Sequence, residues 1–245
     1  MSTLIPIGNQ AYINRLRNST AWYCKLFVTG FLALVQHDAH KSTPPYKNEH
    51  HRIMLVCRTS YLLQYVPTKD DILNKGDATH FVSLAYKNKH FVVLLYYDLV
   101  HRKVTVYDGL LMSITNWETQ IIATIKLFGL ELPDAKYICE IKEDGTTIGM
   151  RGRVRKHISM HLHFENRSSW IIMFDKRHKQ SDGINCGPIA CLKVLELYGF
   201  LEGGSINTIG ESRGGYRDVV MDYYEDCCHR FHNELMIERR TIKNK

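Results

Sequence analysis

The sequence predicts an α+β fold, because it contains the pattern of a β-hairpin and, farther along the chain, the pattern of a buried helix. Residues 90–98 and 103–107 are rich in valine, leucine and tyrosine and are joined by a short polar turn, which is typical of two paired strands. Residues 189–198 are strongly apolar, and their apolar side chains recur at helical spacing. Pro188 suits the first turn of this helix, and Gly199 suits its end.

Further elements are predicted in the same way. Short apolar runs bounded by turn residues indicate strands, and longer runs with apolar side chains on one face indicate helices. The predicted strands are 52–57, 81–85, 135–141, 159–164 and 168–174, and the predicted helices are 22–35, 115–129 and 216–240. The glycine-rich residues 203–215 are predicted to form a linker.

Cys186 is predicted to lie at the N-terminus of the buried helix. At that position the helix dipole and the free backbone N–H groups favour a thiolate, which is the nucleophilic form of cysteine. A nucleophilic cysteine also needs a base, a group that orients the base, and donors for an oxyanion. Cys186 is therefore a candidate nucleophile, and the alternative is a structural cysteine at a helix start.

Three other residues are candidates for the remaining roles. His90 opens the first strand of the hairpin and Asp108 follows the second, so antiparallel pairing brings them to the same end of the sheet. His80 also precedes a predicted strand, but only the strand after His90 leads through a hairpin to an aspartate. Gln180 lies six positions before Cys186, close enough for its amide to share an oxyanion site with the Cys186 N–H. The alternatives are a histidine at a strand edge and an aspartate that forms a turn.

The order His90, Asp108, Gln180, Cys186, with the spacing Gln-x5-Cys-Gly, resembles the ubiquitin-like-protein-specific cysteine proteases, the SUMO (sentrin-specific) protease family. The resemblance runs from about Trp22 to the last predicted helix, and its motifs lie in three short stretches. It implies a papain-like fold with a central mixed sheet flanked by helices and the helix of Cys186 packed against the sheet.

The resemblance also has consequences for domain organisation. The length of 245 residues fits one domain, so a single catalytic domain is predicted over residues 1–245. The sequence separation of Asp108 and Cys186 is larger than a compact family member needs, so the polar residues at about 130–165 are predicted to be an insertion at the edge of this domain.

The activity implied by the resemblance is thiol proteolysis after the C-terminal glycine of a SUMO- or ubiquitin-like modifier, without a cofactor. Cys186 would attack the carbonyl, His90 would exchange the proton and Asp108 would orient His90. The Gln180 amide and the Cys186 N–H would stabilise the oxyanion.

Substrate binding is assigned by the resemblance to Trp22, Phe91 and Gly187, with Trp22 helping to roof a narrow channel for the modifier tail. The acidic residue that the family has soon after this tryptophan is absent here, and the alternative is that Trp22 is a core residue. The sequence departs from the family at two positions beside the catalytic residues. Phe91 stands where the family has tryptophan, and Asn185 stands where it has aspartate.

Two alternatives concern the function. Viral maturation proteases, one of which uses DNA as an accessory, and bacterial acetyltransferases have a similar set of residues. The net charge of +7 and the basic residues 151–156 slightly favour the DNA-assisted protease between these two. The basic residues 151–157 are themselves predicted to be a solvated loop or edge strand, with a contact to nucleic acid or an acidic protein as the alternative. A catalytically silent binding module is the alternative from a different class.

Composition restricts the remaining possibilities. The 245 residues are 44% hydrophobic, with no apolar run long enough for a membrane span and no export signal at the N-terminus. Seven scattered cysteines favour a reducing, intracellular compartment, nucleus or cytoplasm. No metal site is predicted, since neither His157, His161 and His163 nor the Cys227–Cys228–His229 cluster has the ligand spacing of structural zinc.

Overall fold

The computed structural model describes residues 10–18, 23, 25–41, 53–55, 79–87, 91–109, 121, 137–141, 147–151, 154–157, 170–177, 180, 183–211 and 215–243. The helices are α1 (Gln10–Arg17), α2 (Lys25–Lys41), α3 (Cys186–Leu197), α4 (Ser205–Glu211) and α5 (Gly215–Lys243). The strands are β1 (Ile53–Leu55), β2 (His80–Lys87), β3 (Phe91–Asp98), β4 (Lys103–Tyr107), β5 (Tyr137–Ile141), β6 (Thr147–Arg151), β7 (Val154–His157) and β8 (Ile171–Asp175).

These eight strands form one mixed sheet in the order β1-β2-β3-β4-β8-β5-β6-β7. β8 pairs in parallel with β4 on one side and with β5 on the other, and β1 pairs in parallel with β2. The other neighbours are antiparallel. The predicted α+β fold class, with a mixed sheet flanked by helices, is confirmed.

The predicted hairpin is confirmed as β3 and β4. Leu94 pairs with Tyr107 and Asp98 pairs with Lys103, so β3 begins and β4 ends at the same end of the sheet. The turn between them includes Arg102 with a positive φ of 49°. Because β8 runs parallel to β4 and its Asp175 pairs with Tyr107, the C-terminal end of β8 reaches this same end of the sheet.

The core is built around α3. Every residue of α3 from Cys186 to Leu195 is buried, and the helix packs on β3 and against α2 and α5. The apolar faces of α2 and α5 cover the sides of α3 that do not face the sheet, as the patterns of the predicted helices 22–35 and 216–240 indicate. Their buried residues include Phe27, Phe31 and Val35 on α2 and Val220, Met221 and Tyr224 on α5. Among the residues that the structure describes, no helix is long and apolar enough to cross a membrane.

The segment 130–165, predicted to be an insertion, contributes strands to the sheet. β5 lies where a strand was predicted, and it pairs with β8 inside the sheet. β6 and β7 extend the sheet beyond β5, and the basic residues 151–157 belong partly to these two strands. The strand predicted at 159–164 lies outside the described residues.

The prediction of a linker at 203–215 is wrong, because this segment contains α4. Ile206 is fully buried, Ile209 packs against the core, and α4 contacts α5, so tertiary burial outweighs the low helix propensity of the glycines. Gly204 directly precedes α4 and Gly215 begins α5, and both have positive φ values, 86° and 62°, which glycine adopts readily.

Two further helical regions bear on the predictions. α1 was not predicted, and its Arg17 forms ion pairs with Asp218, Asp222 and Glu225 of α5. Of the helix predicted at 115–129, only Ile121 is described, and it is helical and fully buried.

A buried carboxylate lies at the opposite end of the sheet from Tyr107. Asp98 Oδ1 is 3.5 Å from His80 Nε2 and accepts the His101 backbone N–H at 3.0 Å, and Asp98 Oδ2 is 2.7 Å from His101 Nδ1. Burial acts to raise the pKa of Asp98, but the hydrogen bonds from His80 and His101 outweigh burial and hold this pKa well below its ordinary value. The ionised carboxylate therefore stabilises the folded state.

We expect Asp98→Asn to lower the free energy of unfolding at neutral pH by about 1–3 kcal/mol, because charge-assisted hydrogen bonds are lost. A carboxylate whose pKa is lowered by folding stabilises the fold at pH values above the pKa that it has in the unfolded chain. This stabilisation is lost as the pH falls below that value. The difference from wild type should therefore shrink below about pH 4 in denaturant titrations. The exposed Asp226, paired with Arg230 at 3.2 Å, provides the control, and Asp226→Asn should cost about 0–1 kcal/mol. A pH-independent difference for Asp98→Asn would contradict this account.

Candidate active site

Cys186 is the first residue of α3, as predicted. Asn185 is the N-cap, and its carbonyl oxygen accepts the Ile189 N–H at 2.9 Å. The first N–H groups of a helix have no partner within the helix, and the helix dipole favours negative charge at this end. Cys186 is only 5% exposed, so its thiol lies where these dipoles are weakly screened by water.

Asp108 and Cys186 line one cleft. Asp108 directly follows β4 and is buried, and Gly109 and Tyr107 line the cleft beside it. The cleft therefore forms where the end of β4 meets the start of α3.

Gln180 is fixed next to this cleft. Its backbone N–H donates to the Gly109 carbonyl at 2.7 Å, and its side chain is buried. A Cβ placed on Gly109 would lie 3.1 Å from the Gln180 Cβ and 3.2 Å from Oε1, so the two residues are in close contact. Three predicted residues, Asp108, Gln180 and Cys186, thus come together from separate parts of the chain.

The other predicted site residues are less defined. His90 and Trp22 lie outside the described residues, and Phe91 begins β3 with its backbone paired to Lys87. Their assigned roles stay predictions. His80, by contrast, lies beside Asp98 at the other end of the sheet and does not line the cleft.

Gly187 is buried against Tyr23. A Cβ on Gly187 would lie 2.8 Å from the Tyr23 Cβ, which is shorter than real contacts of this kind. The absence of a side chain at Gly187 is therefore required by packing at the start of α3. Its predicted contact with substrate stays a prediction.

Asp175 and Lys193 also line the cleft, and the sequence analysis did not identify either of them. Asp175 accepts three hydrogen bonds from Arg177: its Oδ1 from the backbone N–H at 3.1 Å and from Nε at 2.9 Å, and its Oδ2 from the second guanidinium nitrogen. Burial acts to raise the pKa of Asp175, but the hydrogen bonds from Arg177 outweigh it and the net pKa lies below the ordinary value. The cleft therefore contains an ionised carboxylate at Asp175.

Lys193 is a buried cation on α3. It donates to Glu196 on the next turn, and its Nζ lies 4.6 Å from the centre of the Tyr107 ring. Burial and the charge on Asp175 raise the pKa of Tyr107 well above its ordinary value, so the phenol stays neutral. The signal for Lys193 was in the sequence, since a lysine seven positions after Cys186 lies on the same face of a helix.

The other described thiols are unsuited to nucleophilic chemistry. Burial raises the pKa of Cys191 well above its ordinary value and raises the pKa of Cys228 as well. Burial and the charge on Asp38 raise the pKa of Cys227 to about 12. Of these thiols and Cys186, only Cys186 lines the cleft.

We expect limited reaction with iodoacetamide at mildly acidic pH to label Cys186 before Cys191, Cys227 and Cys228, because the last three thiols are held protonated by burial. Peptide mass spectrometry measures the order of labelling. In Cys186→Ala, the early label should disappear and should not move to another of these cysteines. Equal labelling rates at Cys186 and Cys228 would contradict the prediction.

We expect Gly187→Ala to destabilise the fold by about 1–3 kcal/mol, because the contact with Tyr23 forces the start of α3 to move. This cost should exceed the gain of about 1 kcal/mol from replacing a helical glycine by alanine. Gly183→Ala is the matched control, since a Cβ there has no atom within 4 Å. Denaturant unfolding of both variants measures the difference, and equal stabilities would refute the packing role.

Comparisons with known proteins give fold likenesses at low identity. No protein-family model matches the chain, and no curated protein matches its sequence. It is similar to a structure of the SUMO protease Ulp1 with its catalytic cysteine oxidised to a sulfonic acid, at 11% identity and a TM-score of 0.47, over 87% of this chain and 83% of that chain. It is also similar to the C-terminal Ulp1 protease domain in complex with Smt3, the yeast ortholog of SUMO, at 12% identity and a TM-score of 0.44, over 91% of this chain and 99% of that chain. At these values neither likeness assigns a function.

Proposed function

We propose that the chain is a cysteine protease that cleaves peptide or isopeptide bonds after the C-terminal glycine of a SUMO- or ubiquitin-like modifier. The observation that carries the proposal is the meeting of Cys186 with Asp108 in one cleft, with Gln180 held against Gly109. These residues follow one another in the chain in the order of the motif that resembles the SUMO protease family.

Cys186 is the nucleophile in this proposal. Its thiolate attacks the carbonyl carbon of the modifier's C-terminal glycine, the bond from this carbon to nitrogen breaks as a thioester forms, and the amine leaves with a proton from the base. Water then hydrolyses the thioester and returns the thiol. The position of Cys186 at a buried helix N-terminus supports this role, because the dipole of α3 stabilises the thiolate before attack.

His90 is proposed as the base, with Asp108 as the group that orients it. The pairing of Leu94 with Tyr107 supports this assignment. It puts the beginning of β3, the strand that follows His90 in the chain, at the end of the sheet where Asp108 lies. Asp108 is buried, so a hydrogen bond from an imidazole to its carboxylate would be weakly screened by water.

The oxyanion is proposed to be stabilised by the Gln180 amide and the Cys186 N–H. The Cys186 N–H lies in the first turn of α3, where backbone donors are not used by the helix. The hydrogen bond from the Gln180 backbone N–H to the Gly109 carbonyl and the burial of its side chain support a position beside the cleft. An oxyanion donor that is oriented in advance costs no reorganisation during the reaction.

Substrate recognition is the part of the proposal that depends on the motif resemblance. Trp22 and Phe91 are proposed to line the channel for the modifier tail, together with Gly187. Asp175 and Lys193 lie along the same cleft, and their opposite charges are compensated locally by Arg177 and Glu196. No cofactor takes part in these steps.

The test uses modifiers of the SUMO and ubiquitin-like class that carry a C-terminal electrophile. Wild type is expected to form a covalent adduct with at least one modifier, and Cys186→Ala is expected to form none while keeping its melting temperature. Cys228→Ala is the matched control and should react like wild type, because Cys228 lies on α5 away from the cleft. Gel electrophoresis and mass spectrometry of the adduct measure the result.

The alternatives give different results. An activated Cys186 that reacts with iodoacetamide but with no modifier would contradict the modifier assignment and favour a viral-type protease or an acetyltransferase. A Cys186 no more reactive than Cys228 would contradict enzymatic function and favour a binding module.

A further inference from the structure

Arg217 is a buried cation beside the residues that precede Cys186. It lies in the first turn of α5 and is only 5% exposed. Its Nε donates to Asn185 Oδ1 at 3.0 Å, and its two terminal nitrogens donate to the Leu16 carbonyl at 3.1 Å and the Ile184 carbonyl at 3.4 Å. One guanidinium group thus binds α1 and the turn before α3 at the same time.

The contact with Asn185 changes how α3 begins. Asparagine at an N-cap usually accepts a hydrogen bond from the first turn of its own helix. Asn185 makes no such side-chain cap, and its amide oxygen accepts from Arg217 instead. The turn that leads into Cys186 is therefore tied to α5 by the side chain of Arg217.

Arg217 is itself held in place by its surroundings. Its guanidinium lies 5.1 Å from the centre of the Tyr23 ring, and Tyr23 also packs against Gly187. Arg17, next to Leu16 in the chain, forms ion pairs with Asp218 and Asp222 of α5. α1 and α5 are thereby fixed to each other at the point where Arg217 reaches the turn.

We propose that Arg217 is a positioning residue for the reaction at Cys186. It holds Ile184 and Asn185 so that the Cys186 thiol and backbone N–H face the cleft. This inference rests on the proposed function. A loose turn would misplace the nucleophile and one oxyanion donor together, and small displacements of reacting groups have large effects on rate.

The charge of Arg217 has a second effect at the same place. The guanidinium is buried and contacts the two residues before Cys186, so water screens its positive charge only weakly from the Cys186 thiol. The charged side chains that line the cleft are Asp108, Asp175 and Lys193. A cation at the helix start adds to the dipole of α3 in favouring the thiolate.

The variants separate the hydrogen bonds from the charge. Arg217→Lys keeps the cation but loses the planar fork that serves several acceptors at once. Asn185→Ala removes one acceptor and leaves Arg217 in place. Asn185→Asp keeps the tether and adds a negative charge next to Cys186. Arg230→Gln is the matched control, because Arg230 also lies on α5 and pairs with Asp38.

The experiment measures alkylation of Cys186 by iodoacetamide as a function of pH in the full chain, beside the rate of adduct formation with the reactive modifier. Arg217→Lys and Asn185→Ala should slow adduct formation by about tenfold or more, because the turn is loosened. Asn185→Asp should keep most of that rate and move the alkylation midpoint to higher pH by up to about one unit. Arg230→Gln should match wild type in both measurements.

Each outcome decides between the claims. Folded Arg217→Lys and Asn185→Ala proteins with wild-type adduct rates and wild-type alkylation profiles would overturn the inference, while an activated Cys186 in wild type would leave the proposed function intact. If Arg217→Lys does not give a folded protein by circular dichroism, Asn185→Ala decides, since it removes a single side-chain acceptor. A wild-type Cys186 that reacts no faster than Cys228 would contradict the proposed function and, with it, the inference.

Discussion

The burial of α3 is the constraint on which the rest of the structure depends. Residues Cys186 to Leu195 are buried on every side of this helix, so it must lie between the sheet and other helices rather than at the surface. Each large apolar side chain that it buries contributes roughly 1.5–3 kcal/mol relative to an exposed one. β3 covers one side, and α2 and α5 cover the others. The N-terminus of α3 is consequently delivered to the end of the sheet where β4 and β8 stop.

This arrangement brings charged groups into the interior, and two of those that line the cleft, Lys193 and Asp175, are paired with an opposite charge nearby. Lys193 bonds Glu196 within α3, and Asp175 bonds Arg177 at the end of β8. Buried charges are tolerated when they are paired and hydrogen-bonded, since the cost of removing them from water is then offset. The cleft can therefore hold a lysine and two carboxylates beside Cys186 without losing the packing that positions the helix.

Sequence reasoning succeeded where the signal is local. The β3–β4 hairpin, the apolar run of α3 and the stripe of α5 are periodic patterns. The motif spacing selected Asp108, Gln180 and Cys186 as candidates, and the fold brings these three close together, while their catalytic roles stay predictions. It failed where the cause is remote in sequence. α1 and α4 are short helices that contact α5. Helices of this length are stabilised mainly by tertiary packing, so their own sequences give little signal. Arg217 gave no signal, because its partners lie far away in the chain.

The three-way contact at Arg217 also fixes the order in which the molecule can be completed. Arg217 donates to the carbonyl groups of Leu16 and Ile184, which precede it in the chain by 201 and 33 positions. Both acceptors are therefore synthesised before their donor. While the chain is still emerging from a ribosome, the sheet and α3 can collapse, but the hydrogen bonds from Arg217 to the turn before Cys186 cannot form until residues 215–243 have been added. Under the proposed function, a nascent chain would thus carry Cys186 without these contacts, and the thiol would reach its full reactivity only when α5 docks.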